Sequence, residues 1–242
     1  MNVNSPPYAP SAIEHLRSID PVLGRIIDQI GPYRITRRPQ RFQALVRAII
    51  FQQLAGRAAQ AIYNRFAAMG PGMRFPTPQR VLQASEDDLR RAGLSRQKIL
   101  SVRDLANHVL NNSLDFRRFK KMDDEEIIAH LTRVKGIGRW TAEMFLMFNL
   151  ARPDVFPADD LGLRNAVLKE YRLETAPNPK ELRVIGERWR PYRSVAVWYL
   201  WQSTRIVTPA DASIVKVRMK RTAKPPFESR QTAKKASHVN SG

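Results

Sequence analysis

The sequence predicts an all-α protein. Three observations carry this. Apolar residues recur at helical spacing through most of the chain. Glycine- and proline-bearing breaks separate the periodic segments. No convincing strand and no internal repeat can be found. With 242 residues and 43% apolar content, the chain is long enough to bury a sizeable core in one or two domains.

Residues 1–10 are Pro-rich and expected to be loose. A helical pattern begins near Ser11, continues through Val22, Leu23, Ile26, Ile27 and Ile30, and ends at Gly31-Pro32. The longest periodic stretch, 41–68, places Leu45, Ala48, Ile49, Gln52, Gln53 and Ala59 near one face, with Gly56 as a point to bend or split it. Gln52 and Gln53 stand among Ile49, Ile50, Phe51 and Leu54. As a bare pattern they read as the polar edge of a buried helix. Gly70, Pro71, Gly72, Pro76 and Pro78 mark a loop. Helical pattern resumes at Pro78–Leu82 and again at Ser85-Glu86-Asp87-Asp88, a capping box, and Gly93 ends that helix. Ser95 opens another helix to about Asn111. Arg117, Arg118, Lys120 and Lys121 form a basic cluster, readable as a solvated face or as a phosphate contact.

Asp123-Asp124-Glu125-Glu126 puts acidic residues where a helix N-terminus favours them, and Ile127, Ile128, Leu131 and Val134 follow at helical spacing. Lys135-Gly136-Ile137-Gly138 then forms a hairpin into a second helix carrying Trp140, Ala142, Met144, Phe145, Met147 and Phe148. Two glycines at a helix start leave backbone N–H groups uncovered, which suits a phosphate; an ordinary glycine-capped turn is the plain alternative. Pro153 and Pro157 mark the next loop. Either Asp159 or Asp160 should N-cap the helix LGLRNAVLKEY. The last helix is RPYRSVAVWYLWQ, with Trp198 and Trp201 one turn apart. Beyond Thr208 the chain is basic and polar, and disorder is expected.

Net charge is +19. Nine Lys/Arg against two Asp/Glu lie from Arg205 onward, so +12 belongs to the rest and the bias is not only a tail effect. Such a balance points to a polyanionic partner. The absence of cysteine excludes disulfides, thiolate zinc sites and cysteine-ligated clusters. No run approaches the ~18 apolar residues of a membrane span, and the N-terminus shows no signal-peptide pattern. An intracellular protein without membrane association is expected.

VKGIGRWTAEM followed by VFPADDLGLRNAV resembles the helix-hairpin-helix (HhH-GPD) DNA glycosylases, whose hairpin precedes a Gly/Pro-rich loop and a trailing aspartate. Within them the chain is similar to the 3-methyladenine branch, DNA-3-methyladenine glycosylase II of the AlkA and yeast Mag type. IIFQQLAGRAAQAIYNRF, LRRAGLSRQKILSVRDLA and ERWRPYRSVAVWYLW agree with it, so the resemblance runs from Arg41 to Gln202. AlkA's N-terminal β-domain has no counterpart, and the compact yeast-type layout is expected.

The resemblance implies two helical domains with a DNA cleft between them. One is built from 9–41 plus 153–206, and the other is the hairpin domain, 42–152; 207–242 is a basic tail. It implies a monofunctional enzyme of base excision repair, acting as a monomer on double-stranded DNA. The enzyme flips out alkylated purines and hydrolyses their N-glycosidic bond. It lies in the nucleoid or cytoplasm of a bacterium, or the nucleus of a eukaryote. By the same resemblance Asp160 is the catalytic carboxylate, and Asp159 becomes the cap or positioning residue. Leu54 is the wedge that enters the base stack, and Gln53 lies beside it in the minor groove. Gly136 and Gly138 hold a phosphate. Carbonyls of Thr132, Val134 and Ile137 bind a monovalent cation, sodium or potassium, with DNA; no other cofactor is implied. Trp140, Met144 and Trp201 line the base pocket. Bifunctional relatives carry a nucleophilic lysine where this chain has Trp140, so no lyase activity is expected. Met144 departs from a tyrosine of AlkA. A glycosylase for deaminated or oxidised bases, and a non-catalytic DNA-damage binding module, are the rival readings.

Overall fold

The computed structural model describes residues 3–36 and 41–204. The expected disordered tail lies outside them. Among the described residues twelve α-helices follow one another: α1 Ala9–Ile19, α2 Pro21–Ile30, α3 Arg41–Phe51, α4 Gly56–Ala67, α5 Pro78–Gln83, α6 Glu86–Arg91, α7 Arg96–Leu110, α8 Asp124–Thr132, α9 Arg139–Phe145, α10 Leu161–Glu170, α11 Pro179–Glu187 and α12 Arg193–Ser203. One ladder too short to read from sequence joins them: β1 Val3–Asn4 pairs antiparallel with β2 Ile35–Thr36. Two residues per strand leave no alternation to detect.

The pattern over 11–30 is two helices, not one. Pro21 cannot continue a helix and holds the preceding residue extended. Asp20, at φ −141° and ψ 102°, therefore ends α1 and caps α2. Its Oδ1 accepts the N–H groups of Val22 (3.0 Å) and Leu23 (3.2 Å). Its Oδ2 accepts the Tyr171 hydroxyl (2.7 Å) and the Trp189 indole N–H (2.9 Å). A side chain only 1% exposed thus has four donors, which is what keeps a buried carboxylate tolerable.

The stretch 41–68 also divides, between Phe51 and Gly56, where Gln53 turns the chain at φ +56°. The capping box at Ser85 and Asp88 forms as expected, and Asp123 with Glu126 closes another at the start of α8. Helix α11 is not apparent in the sequence. Asn178 and Glu181 close a box at its start, but only Leu182 and Gly186 of its nine residues are buried, so few apolar positions mark it.

Helices α1, α2, α10 and α12 pack on one another, as do α3 with α4, α7 and α9, α5 and α6 with α7, and α8 with α9. Buried side chains from Ala9 to Leu200 join both groups in one continuous apolar core. After α9 the helix widens into a π turn, Leu146–Leu150, and Ala151 reverses the chain at φ +54°. The loop that follows leads directly to Asp160.

Asp20→Ala should remove the cap and strand the Tyr171 hydroxyl and the Trp189 N–H in the core. A loss of about 2–4 kcal/mol is expected in urea unfolding. A change below ~1 kcal/mol would show that this junction does not hold the two chain segments together.

Candidate active site

Asp160 is the N-cap of α10. It sits at φ −73° and ψ 119°, and its Oδ1 accepts the Leu163 N–H. The cap is therefore Asp160, not Asp159 as expected. Asp159 is exposed and faces Arg183 across 3.4 Å. Two indoles converge on the same carboxylate: Trp201, on α12, donates its N–H to Oδ1 at 2.9 Å, and Trp140, the second residue of α9, donates to Oδ2 at 2.8 Å. A carboxylate offers about four acceptor positions. Three are taken by these donors, leaving one on Oδ2.

Gly162 makes room for this arrangement. A Cβ there would lie 3.1 Å from Asp160 Oδ1 and 3.5 Å from Trp201 Nε1. The Phe148 ring, delivered by the π turn, stacks on Trp201 at 6.2 Å and 25°. Trp140 is 48% exposed, while Met144, one turn further along α9, is half-buried. The result is a carboxylate framed by two indoles and a phenyl ring, with one indole face open. Trp198, one turn before Trp201, packs on the core, edge-on against Tyr33 at 5.0 Å.

The hairpin spans 133–138 between α8 and α9. Gly136 adopts φ +81°, and a Cβ on it would collide with the Ser101 hydroxyl, so only glycine fits. At Gly138 nothing lies within 4 Å of where a Cβ would stand. Gly138 caps α9 with no side-chain partner, leaving the helix start open. The Lys135 N–H donates to Asp104 at 2.7 Å. Thr132 ends α8, and the Val134 carbonyl accepts the Ile137 N–H at 3.0 Å.

Gln53 and Leu54 are both exposed on the α3–α4 turn. Sequence reasoning gave no role to two groups that fix this turn. Gln52 donates its side-chain N–H to the Gly136 carbonyl at 2.8 Å. The Lys98 ammonium, on α7, donates to the carbonyls of Ile50 (2.6 Å) and Gln52 (3.0 Å). Burial pulls the Lys98 ammonium below its ordinary pKa.

Glu143 was also missed, although a glutamate inside AEMFLMF is a visible anomaly. It is 4% exposed and accepts from Arg139 at 3.1 Å. Burial pushes its carboxyl up to about 7, against the downward pull of Arg139. It lines a cavity of about 640 Å³ shared with Asp124, Arg139, Asp154 and Arg193. Asp160, Trp140 and Trp201 are not among the residues lining it.

A family model described as "HhH-GPD superfamily base excision DNA repair protein" matches residues 46–191. The chain is 36% identical over 196 residues to DNA-3-methyladenine glycosylase 1 of Schizosaccharomyces pombe, covering 79% of this chain and 86% of that protein. It superposes with a TM-score of 0.74 on the solved structure of S. pombe 3-methyladenine DNA glycosylase (Mag1) in complex with abasic DNA, at 36% identity over 81% of this chain and 97% of that one. A DNA-3-methyladenine glycosidase from Bacillus halodurans is similar, with a TM-score of 0.75 at 35% identity, covering 84% and 92% of the two chains.

Because folding raises the Glu143 pKa, its folded form favours the neutral acid. Its contribution is full below the ordinary carboxylate range and is lost as pH rises toward about 7. Glu143→Gln mimics the neutral form. Its thermal stability relative to the unaltered protein should therefore increase between pH 4.5 and pH 8. A difference that stays flat across this range would contradict the raised pKa.

Proposed function

The chain belongs to the HhH-GPD superfamily of base excision DNA repair proteins, and from that we propose that it is a monofunctional DNA-3-methyladenine glycosylase. It binds double-stranded DNA, flips out an alkylated purine and hydrolyses its N-glycosidic bond as a monomer. The observation that carries this is the Asp160 carboxylate, held by two indole N–H groups inside an aromatic frame.

The chemistry follows from that frame. A base inside a duplex must be extruded before its sugar can be attacked, at a cost of a few kcal/mol. Leu54 fills the vacated stack and Gln53 lies beside it in the minor groove, both carried on a turn that projects into solvent. The open helix start at Gly138 and the tight turn at Gly136 grip the backbone phosphate through their N–H groups. The carbonyls of Thr132, Val134 and Ile137 would hold sodium or potassium there. They are neutral oxygen donors, and the Val134 oxygen keeps a lone pair after accepting the Ile137 N–H. The ion would supply positive charge to the phosphate.

As the C1′–N bond breaks, positive charge develops on the sugar, and a fixed carboxylate stabilises it. The free acceptor position on Asp160 Oδ2 holds the attacking water. Purines methylated at N3 or N7 are cationic, so the exposed face of Trp140 and the Trp201–Phe148 stack attract them by cation–π interaction. Met144 in the same wall adds a polarisable contact with no hydroxyl. Trp140 occupies the position from which a lysine would attack, and an indole N–H that donates to Asp160 has no nucleophilic lone pair to offer.

Asp160→Asn keeps an oxygen for the cap but turns an amide toward the Trp140 N–H and removes the charge. Single-turnover excision of 3-methyladenine should fall by at least ~100-fold, with duplex affinity nearly unchanged. Excision at the unaltered rate would remove Asp160 from the mechanism. Borohydride added during turnover should trap no protein–DNA adduct, and strand breaks should appear only after alkali. A trapped complex would move the chain to the lysine-dependent, strand-cleaving enzymes.

A further inference from the structure

We propose that Gln52 and Lys98 are positioning residues that lock the Leu54 turn to the glycine hairpin, so that wedge insertion and phosphate grip act as one rigid unit. The inference rests on the wedge reading of Leu54 given above and adds the device that makes a wedge effective. It starts from a mechanical difficulty. Leu54 is 39% exposed on a turn joining two helices, and the end of α3 leaves backbone carbonyls without intrahelical partners. A turn of that kind yields when pressed against stacked bases, because loop positions are the softest in a fold.

Two contacts stiffen it. From below, the Lys98 ammonium bridges the Ile50 and Gln52 carbonyls at 2.6 and 3.0 Å. It places a cation where the α3 dipole is negative and closes the turn's base. From the side, the Gln52 amide reaches the Gly136 carbonyl at 2.8 Å, 84 residues along the chain. Gly136 is itself confined by its φ of +81° and by the Ser101 hydroxyl beneath it. The turn thus leans on a hairpin segment that cannot give way. The Gln52 carbonyl and side chain belong to the residue two before Leu54, so any shift of the wedge must break one contact or strain the other. The depth of Leu54 is thereby set against the phosphate-binding backbone, and force on one is carried by the other. This also accounts for a glutamine directly after the apolar run Ala48–Phe51 that ends α3.

The test uses the full chain in single-turnover excision of 7-methylguanine placed either in a paired duplex or opposite a mismatch, where flipping is cheaper. Gln52→Glu is nearly isosteric but sets a carboxylate against the Gly136 carbonyl. Lys98→Met keeps the stem and removes the cation, and Lys98→Arg restores it. Gln52→Glu and Lys98→Met should each slow excision from the paired duplex about three- to ten-fold, the worth of one ordinary hydrogen bond. They should leave the mismatched substrate nearly unaffected, and Lys98→Arg should recover most of the loss. In a Leu54→Ala background Gln52→Glu should add nothing, because residues acting through one another are non-additive.

Losses that are equal on the two substrates, or that add to Leu54→Ala, overturn the lock while leaving the wedge standing. If Leu54→Ala itself lowers both substrates equally, the wedge reading fails first and the lock falls with it. Should Lys98→Met fail to fold, Gln52→Glu alone, on a half-buried side chain, still decides.

Discussion

Much of this structure depends on one carboxylate that three separate helices share. Asp160 starts α10 as its cap, fixes α9 through Trp140 and fixes α12 through Trp201. Each constraint in the neighbourhood serves it. Gly162 is bare where a Cβ would crowd the Asp160 Oδ1 atom at 3.1 Å, and the π turn after α9 carries Phe148, whose ring stacks on Trp201. A cap satisfied by an ordinary serine would hold the helix equally well. A charged residue there, tied to two indoles, goes beyond what capping needs and is what the proposed chemistry calls for.

The helical class and most helix positions were legible from periodicity and caps, because those signals are local. The box at Ser85 and the glycine that ends α6 need only a few neighbouring residues to be recognised. The misreadings were of two kinds. At Asp20–Pro21 the apolar spacing runs on across a break, since both helices present their faces to one core, whereas the break at 52–55 falls directly before Gly56, the splitting point the sequence offered. Helix α11 escaped because it is short and only Leu182 and Gly186 of it are buried. The family resemblance pointed to Asp160, Trp140 and the hairpin; spacing left the cap open between two aspartates, and the resemblance made Asp159 the cap or positioning residue where the structure has Asp160. Which of two adjacent carboxylates turns inward is decided by where Trp140 and Trp201 arrive, and those are 20 and 41 residues away. Gln52 and Lys98 escaped for the same reason, their partners being distant in sequence.

Charge tells a parallel story. The sequence suggested a basic surface for a polyanion, yet many arginines of the folded part are occupied within the protein. Arg139 is held by Glu125 and Glu143, Arg152 by Asp124, and Arg190 and Arg193 by Asp154 and Glu187. These pairs line the cavity beside Glu143. They lie between helices that must keep a fixed spacing if the tryptophans of α9 and α12 are to meet on one aspartate. Net charge alone does not separate such internal fastening from attraction to a partner.

The buried junction at Asp20 bears on how the chain is made. Its two side-chain donors stand 151 and 169 residues downstream, so the N-terminal helix pair cannot complete its own core when it leaves the ribosome. At ordinary synthesis rates, about 5–20 residues per second, it waits roughly 10–30 s with its apolar face uncovered, while α3 to α9 already have sequence-near partners. The hairpin-bearing helices are thus free to assemble first, and the ends of the chain close around them last. Nascent chains halted before Trp189 should keep α1 and α2 open to protease, and chains released after it should not.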